Sequence, residues 1–99
     1  MLKTKAEIQF TLEGKNYTAD QLRPAFRFAD NLLFTGCISS NQDMYYQGNT
    51  YEVDVDFFTI DDGAYGLLEP ILEKNMGLTI CTGKRILGIA KLLEFSYSS

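Results

Sequence analysis

Histidine is absent from this chain. Its absence removes the commonest general base near neutral pH and the commonest metal ligand, so most hydrolytic mechanisms lose their usual starting residue. Proline and cysteine each occur only twice in 99 residues. Few breaks in extended structure are therefore expected, and a disulfide framework of the kind that staples small secreted domains is excluded. Cys37 and Cys81 each sit in an apolar, strand-like context. Both read as reduced core thiols, with a single bridge between them as the alternative. Cations are scarce too: nine Lys and Arg against thirteen Asp and Glu give a net charge of −4. Non-specific attraction to a phosphate backbone comes from counterion release by clustered cations, so bulk electrostatics opposes nucleic acid as a partner. No apolar run has the length of a membrane span or a signal peptide, so no membrane partner is expected and a cytoplasmic location follows by default. Internal repeats, low-complexity tracts and linkers are also missing.

What is present is a well-ordered composition, 45% hydrophobic and 13% aromatic. A chain of this length supports one domain, spanning residues 1–99, with enough core to fold without staples. Ala6, Ile8, Phe10 and Leu12 alternate with Glu7, Gln9 and Thr11, the period-two pattern of a strand with one wet face. Glu13-Gly14-Lys15-Asn16 supplies turn residues, and a polar loop runs on through Asp20. Pro24 cannot donate to a ladder, so it marks a strand start, after which Phe26 and Phe28 share one face. Residues 32–38 resume an extended run, and Gly36 inside it predicts a bulge or tight bend that curls a sheet. After a turn at Gln47-Gly48-Asn49, Tyr51, Val53, Val55 and Phe57 alternate with Glu52, Asp54 and Asp56, the clearest strand in the chain.

Between residues 60 and 76 the apolar spacing changes to three and four, which predicts a short helix or an ordered loop, with Pro70 preventing a long helix. Two closing strands follow, residues 78–81 and 85–95, joined by a hairpin at Thr82-Gly83-Lys84, with Gly88 as a bend point.

Several groups invite a chemical reading. Glu52, Asp54 and Asp56 stand on one strand face about 6.5 to 7 Å apart, a spacing compatible with a carboxylate pair or a hard-cation site. Alternation with apolar neighbours already explains them as a solvated outer face. Asp61-Asp62-Gly63 lacks the oxygens of a calcium loop and reads as a turn. Gly83-Lys84-Arg85 precedes a strand rather than a helix and reads as a hairpin rather than a phosphate cradle. Arg23 and Arg27 lie opposite the Phe26 and Phe28 face, where they either pair with the acidic stripe or meet a partner. Tyr45, Tyr46 and Tyr51 cluster around Gly48, a composition shared by recognition surfaces and by the packing of small barrels.

The order of these elements carries a resemblance. Leu12 with Glu13-Gly14-Lys15, then Arg23-Pro24-Ala25-Phe26-Arg27-Phe28, Thr35-Gly36, Gly48-Asn49, Pro70-Ile71, Gly77-Leu78, Gly83-Lys84 and the closing 87–92 run recur in one order with fitting spacings. Together they resemble the C-terminal β-barrel domain of elongation factor Tu and related translation factors, without the GTPase domain that performs that family's chemistry. The stretch 61–68 looks like an insertion, Ala90 replaces a closing glycine, and Asn16-Tyr17-Thr18 stands where the family has a histidine-containing turn. The resemblance implies an all-β fold, a closed six-stranded antiparallel barrel with one short helical insertion. It also implies an interaction role, since that barrel helps hold the T stem of aminoacyl-tRNA and an exchange-factor partner. Lys84, Arg85 and Lys91 fall near the corresponding end.

The expected function is therefore a non-catalytic protein-binding module whose rewritten loops, residues 42–49 and 61–68, contact the partner. Mimicry or regulation of a translation factor, including an immunity role, is a special case. The expected partner-binding residues are Arg23, Arg27, Tyr45, Tyr46, Lys84, Arg85 and Lys91, with no catalytic, cofactor or metal residues. A tRNA-binding module is the alternative, and a carboxylate-based or metal-dependent enzyme the most distant one.

Overall fold

The computed structural model describes residues 1–13, 15–18 and 23–99. Gly14 of the expected turn and Ala19 and Asp20 of the polar loop lie outside the described residues. The chain order is β1 (Leu2–Phe10), β2 (Tyr17–Thr18), β3 (Ala25–Ala29), β4 (Leu32–Thr35), β5 (Cys37–Ser39), β6 (Met44–Tyr45), β7 (Thr50–Phe57), α1 (Asp62–Leu68), β8 (Gly77–Thr82) and β9 (Arg85–Tyr97). Seven of the strands form one antiparallel sheet in the order β4-β3-β8-β9-β1-β7-β5, and β2 pairs with β6. The fold is mostly β, a curled sheet forming an open half-barrel.

β1 lies inside this curl, between β9 and β7, with one inward face along its whole length. Leu2, Ala6, Ile8 and Phe10 are buried, alternating with exposed or half-buried Lys3, Lys5, Glu7 and Gln9. Thr4 occupies an inward position as the one buried non-aromatic polar side chain among the described residues, and its hydroxyl donates to the Val55 carbonyl at 2.9 Å, which satisfies it. β1 thus begins four residues before the alternation from Ala6 indicates. Val53, Val55 and Phe57 of β7 and Ile80 and Leu78 of β8 complete the lining. Phe57 meets Phe26 and Phe28 edge-on at 5.4 and 5.3 Å, a preferred aromatic geometry.

Four irregularities interrupt the sheet among the described residues, the first being Phe28 of β3, an extra residue between the Arg27–Leu33 and Ala29–Leu32 pairs. Opposite β1, Leu93 of β9 is an extra residue between the Lys5–Glu94 and Ala6–Leu92 pairs. The bulge reverses the parity of β9, so that Ala90 and Leu92 face inward before it and Phe95 and Tyr97 pack on the core after it. Leu87 is a third extra residue, between the Ile80–Gly88 and Cys81–Ile86 pairs. At Gly36 the chain bends between β4 and β5, the two end strands of the sheet. A Cβ there would lie 2.6 Å from Val55 Cγ1 and 2.7 Å from the Phe26 ring, so only glycine fits this bend against the core.

The 60–76 segment contains a helix, α1. Asp61 caps it, its Oδ1 accepting from the Ala64 amide at 2.9 Å, and the Asp61-Asp62-Gly63 turn reading becomes a helix start. The helix buries Leu68 and leaves Leu67 exposed. Cys37 and Cys81 are both free thiols, half-buried and buried respectively. Among the described residues no helix is long and apolar enough to cross a membrane.

Candidate functional site

The sheet register separates the charges into distinct zones. Across β1 and β7, Lys3 faces Asp56 and Lys5 faces Asp54. On the other flank Lys5 faces Glu94 and Glu7 faces Lys91. Asp54 and Asp56 of the acidic stripe therefore face cations of β1, an arrangement that favours the pairing, while Glu52 faces the like charge of Glu7. Arg23 and Arg27 are elsewhere. Arg23 precedes β3, and its Nη1 donates to the Cys37 sulfur at 3.1 Å. Arg27 lies within β3, on the face opposite the buried Phe26 and Phe28. Among the described residues no group of three or more Cys, Asp and Glu side chains is placed to hold a metal ion.

The tyrosine cluster divides. Tyr45 is fully buried; its ring meets Tyr51 edge-on at 5.0 Å and Phe10 at 5.8 Å, and its hydroxyl is 2.5 Å from the Ser40 hydroxyl. Tyr45 is a core residue, which corrects its expected role at a surface: the β2–β6 pairing turns the ring inward. Tyr46 is exposed, and its amide donates to the Tyr51 hydroxyl at 2.9 Å. The 42–49 loop is itself pinned to the end of β1, with Gly48 donating to the Phe10 carbonyl and Gln47 to the Asn16 side chain.

Two surfaces of the described residues gather candidate binding side chains. The first is the outer face of β4, β3, β8 and β9. The register aligns Leu33, Arg27, Thr79 and Ile89 in one row across these strands. The next row aligns Thr35, Ala25, Cys81 and Ile86. Ile86 and Ile89 are 54% and 52% exposed and Leu33 40%, so two rows of a sheet face offer aliphatic side chains to solvent. Between Leu33 and Ile89, the half-buried Arg27 has its Nε shielded from solvent with no hydrogen-bond partner among the described residues. The aliphatic rows became visible only through the register, because Ile86 and Ile89 read as ordinary strand residues.

The second surface is a groove of about 350 Å³ beside the β8–β9 hairpin. Lys15, Arg23 and Arg85 line it together with Leu12, Tyr17 and Leu87, and no carboxylate of the described residues does. The hairpin is a two-residue loop whose first residue, Gly83, has φ 57°, a conformation glycine adopts without strain. It leaves Lys84 and Arg85 exposed beside the groove. Lys91 stands six residues further along β9, about 20 Å from Arg85 by the strand rise, so it belongs to the Glu7 flank rather than to the hairpin end. Lys15 joins Arg23 and Arg85 only through the fold.

Comparison of the sequence with protein-family models finds no matching family, and comparison with curated proteins finds no match.

Proposed function

We propose that this chain is a non-catalytic interaction module that binds a protein partner through the outer face of β4, β3, β8 and β9. The observation that carries the reading is the pair of rows in which Leu33, Ile86 and Ile89 are exposed around Arg27. Centres of protein interfaces combine aliphatic or aromatic surface with arginine, whose guanidinium finds its acceptor on the partner. The frame we propose is a divergent copy of the C-terminal barrel of elongation factor Tu. A barrel closed in solution is the natural completion of the observed sheet. β4 pairs with β3 and β5 pairs with β7, so if residues 32–39 act as one strand bent at Gly36, the seven strands reduce to six. Competition for a ligand of the full translation factor is a special case of the same reading.

Affinity capture from an RNase-treated native lysate tests the face. The wild-type chain and a Glu52→Gln control on the opposite flank recover the same protein, while Ile89→Asp and Leu33→Asp recover none of it with their thermal midpoints unchanged. A partner that Ile89→Asp and Leu33→Asp both retain contradicts the assignment.

A further inference from the structure

We infer that the groove beside the β8–β9 hairpin receives an acidic peptide segment, one in which carboxylates flank an apolar side chain. This inference rests on the interaction-module reading and names the chemistry of a partner's contact at a second place. Its cations come from three separate parts of the chain: Lys15 after β1, Arg23 before β3 and Arg85 at the start of β9. In a protein with thirteen acidic and nine basic residues, a groove lined by three cations and by no carboxylate of the described residues is a local reversal of sign. Such a cluster attracts anionic groups over a Debye length of about 8 to 10 Å. The sides of the groove are apolar at Leu12, Tyr17 and Leu87. A bare inorganic anion gains nothing from those residues, whereas a peptide places carboxylates on the cations and an aliphatic side chain against Leu12 and Leu87.

Two features favour a peptide over a nucleic acid strand. A nucleic acid gains its affinity from many phosphate contacts, typically about 6 to 10, and from bases stacked on open aromatic faces. The groove offers three cations, and the Tyr17 ring is already packed against Phe10, with centroids 4.7 Å apart. Arg23 is suited to a carboxylate. Its Nη1 donates to the Cys37 sulfur, a weak acceptor, and a guanidinium presents further N–H donors in the fork that matches a carboxylate.

The test is a titration of the 15N-labelled full chain, read as amide shifts. The probes are an acetylated decapeptide of alternating glutamate and leucine, the same peptide with glutamine for glutamate, and an octauridylate. The inference expects the acidic peptide to shift Leu12, Lys15, Tyr17, Arg85 and Leu87. It further expects Arg85→Glu and Lys15→Gln each to weaken that binding at least tenfold while the remaining amides keep their wild-type positions. Equal binding of the glutamine peptide, shifts confined to other parts of the molecule, or tighter binding of octauridylate at the same groove would each overturn it. Loss of partner capture by Ile89→Asp together with no response to the acidic peptide leaves the interaction face standing and removes the groove. A bound acidic peptide with capture unaffected by Ile89→Asp does the reverse.

Discussion

The rings of Tyr65 and Tyr97 stack with centroids 4.1 Å apart and planes 6° from parallel. Tyr65 belongs to α1 and Tyr97 ends β9, and the Tyr97 hydroxyl also donates to the Asp62 carboxylate. One aromatic pair and one charge-assisted hydrogen bond thus fasten the helix to the last strand. The hydrogen bond to Asp62, reinforced by the Asp62 and Asp61 charges, holds the Tyr97 proton, so its pKa is pushed up to about 12. The unfolded chain releases that proton near the ordinary value of about 10. Because the folded pKa is the higher, the stabilisation is fully present below about pH 10 and is lost as pH rises through about 12. Urea midpoints measured across this window should fall for the wild-type chain, and Tyr97→Phe should show a shallower fall.

Gly88 gives β9 its close approach to β1. A Cβ there would run into the Gln9 carbonyl oxygen and lie 2.9 Å from Phe10 Cα, both backbone atoms that cannot rotate away. Gly88→Ala should therefore destabilise by about 1–3 kcal/mol or more, the range of overpacked interiors. Gly77 lies in β8 with nothing within 4 Å of such a Cβ, and Gly77→Ala should be neutral or stabilising by up to about 1 kcal/mol. Chemical denaturation of the two variants side by side checks the contrast.

Gly36 makes a different prediction, because its obstruction is side chain. Gly36→Ala places a methyl group against Val55 Cγ1 and the Phe26 ring and should cost about 1–3 kcal/mol. Val55→Ala removes one of the two obstructions while opening a cavity of its own. The double variant should then be less destabilised than the sum of the singles by about 0.5 kcal/mol or more, a coupling read from a double-mutant cycle.

Much of this architecture is legible in the residues, for a physical reason. β7 and the second half of β1 bury one face and wet the other, so side-chain alternation writes them into the sequence. Gly36 and Gly88 signal bends because a side chain has no room at either. The start of β1 is obscured by Thr4, a polar residue made tolerable inside by the Val55 carbonyl. β2 and β6 have two residues each, too few for any period to register. At the surfaces the residue types are readable but their grouping is not. Lys15, Arg23 and Arg85 converge through the fold, and Tyr45 and Tyr46, adjacent in sequence, go to opposite environments.

That division of the tyrosine pair is itself testable. Tyr45→Phe loses the hydroxyl contact with Ser40 and should cost about 1 kcal/mol, and Tyr45→Ala should cost about 3–5 kcal/mol through the cavity left among Phe10 and Tyr51. Tyr46→Ala, at an exposed side chain, should stay within about 0.5 kcal/mol of wild type. Thermal or urea unfolding of the three variants separates core from surface.

The outer face carrying Leu33, Arg27, Ile86 and Ile89 is the surface proposed to meet a protein, and photo-crosslinking in the native cell checks it, with benzoylphenylalanine placed at position 89 in one chain and at position 54, on the acidic flank, in another. One dominant protein adduct is expected from position 89, abolished by adding Leu33→Asp, and none from position 54. An adduct from position 54 with none from position 89, or a nucleic acid adduct from position 89, would contradict it.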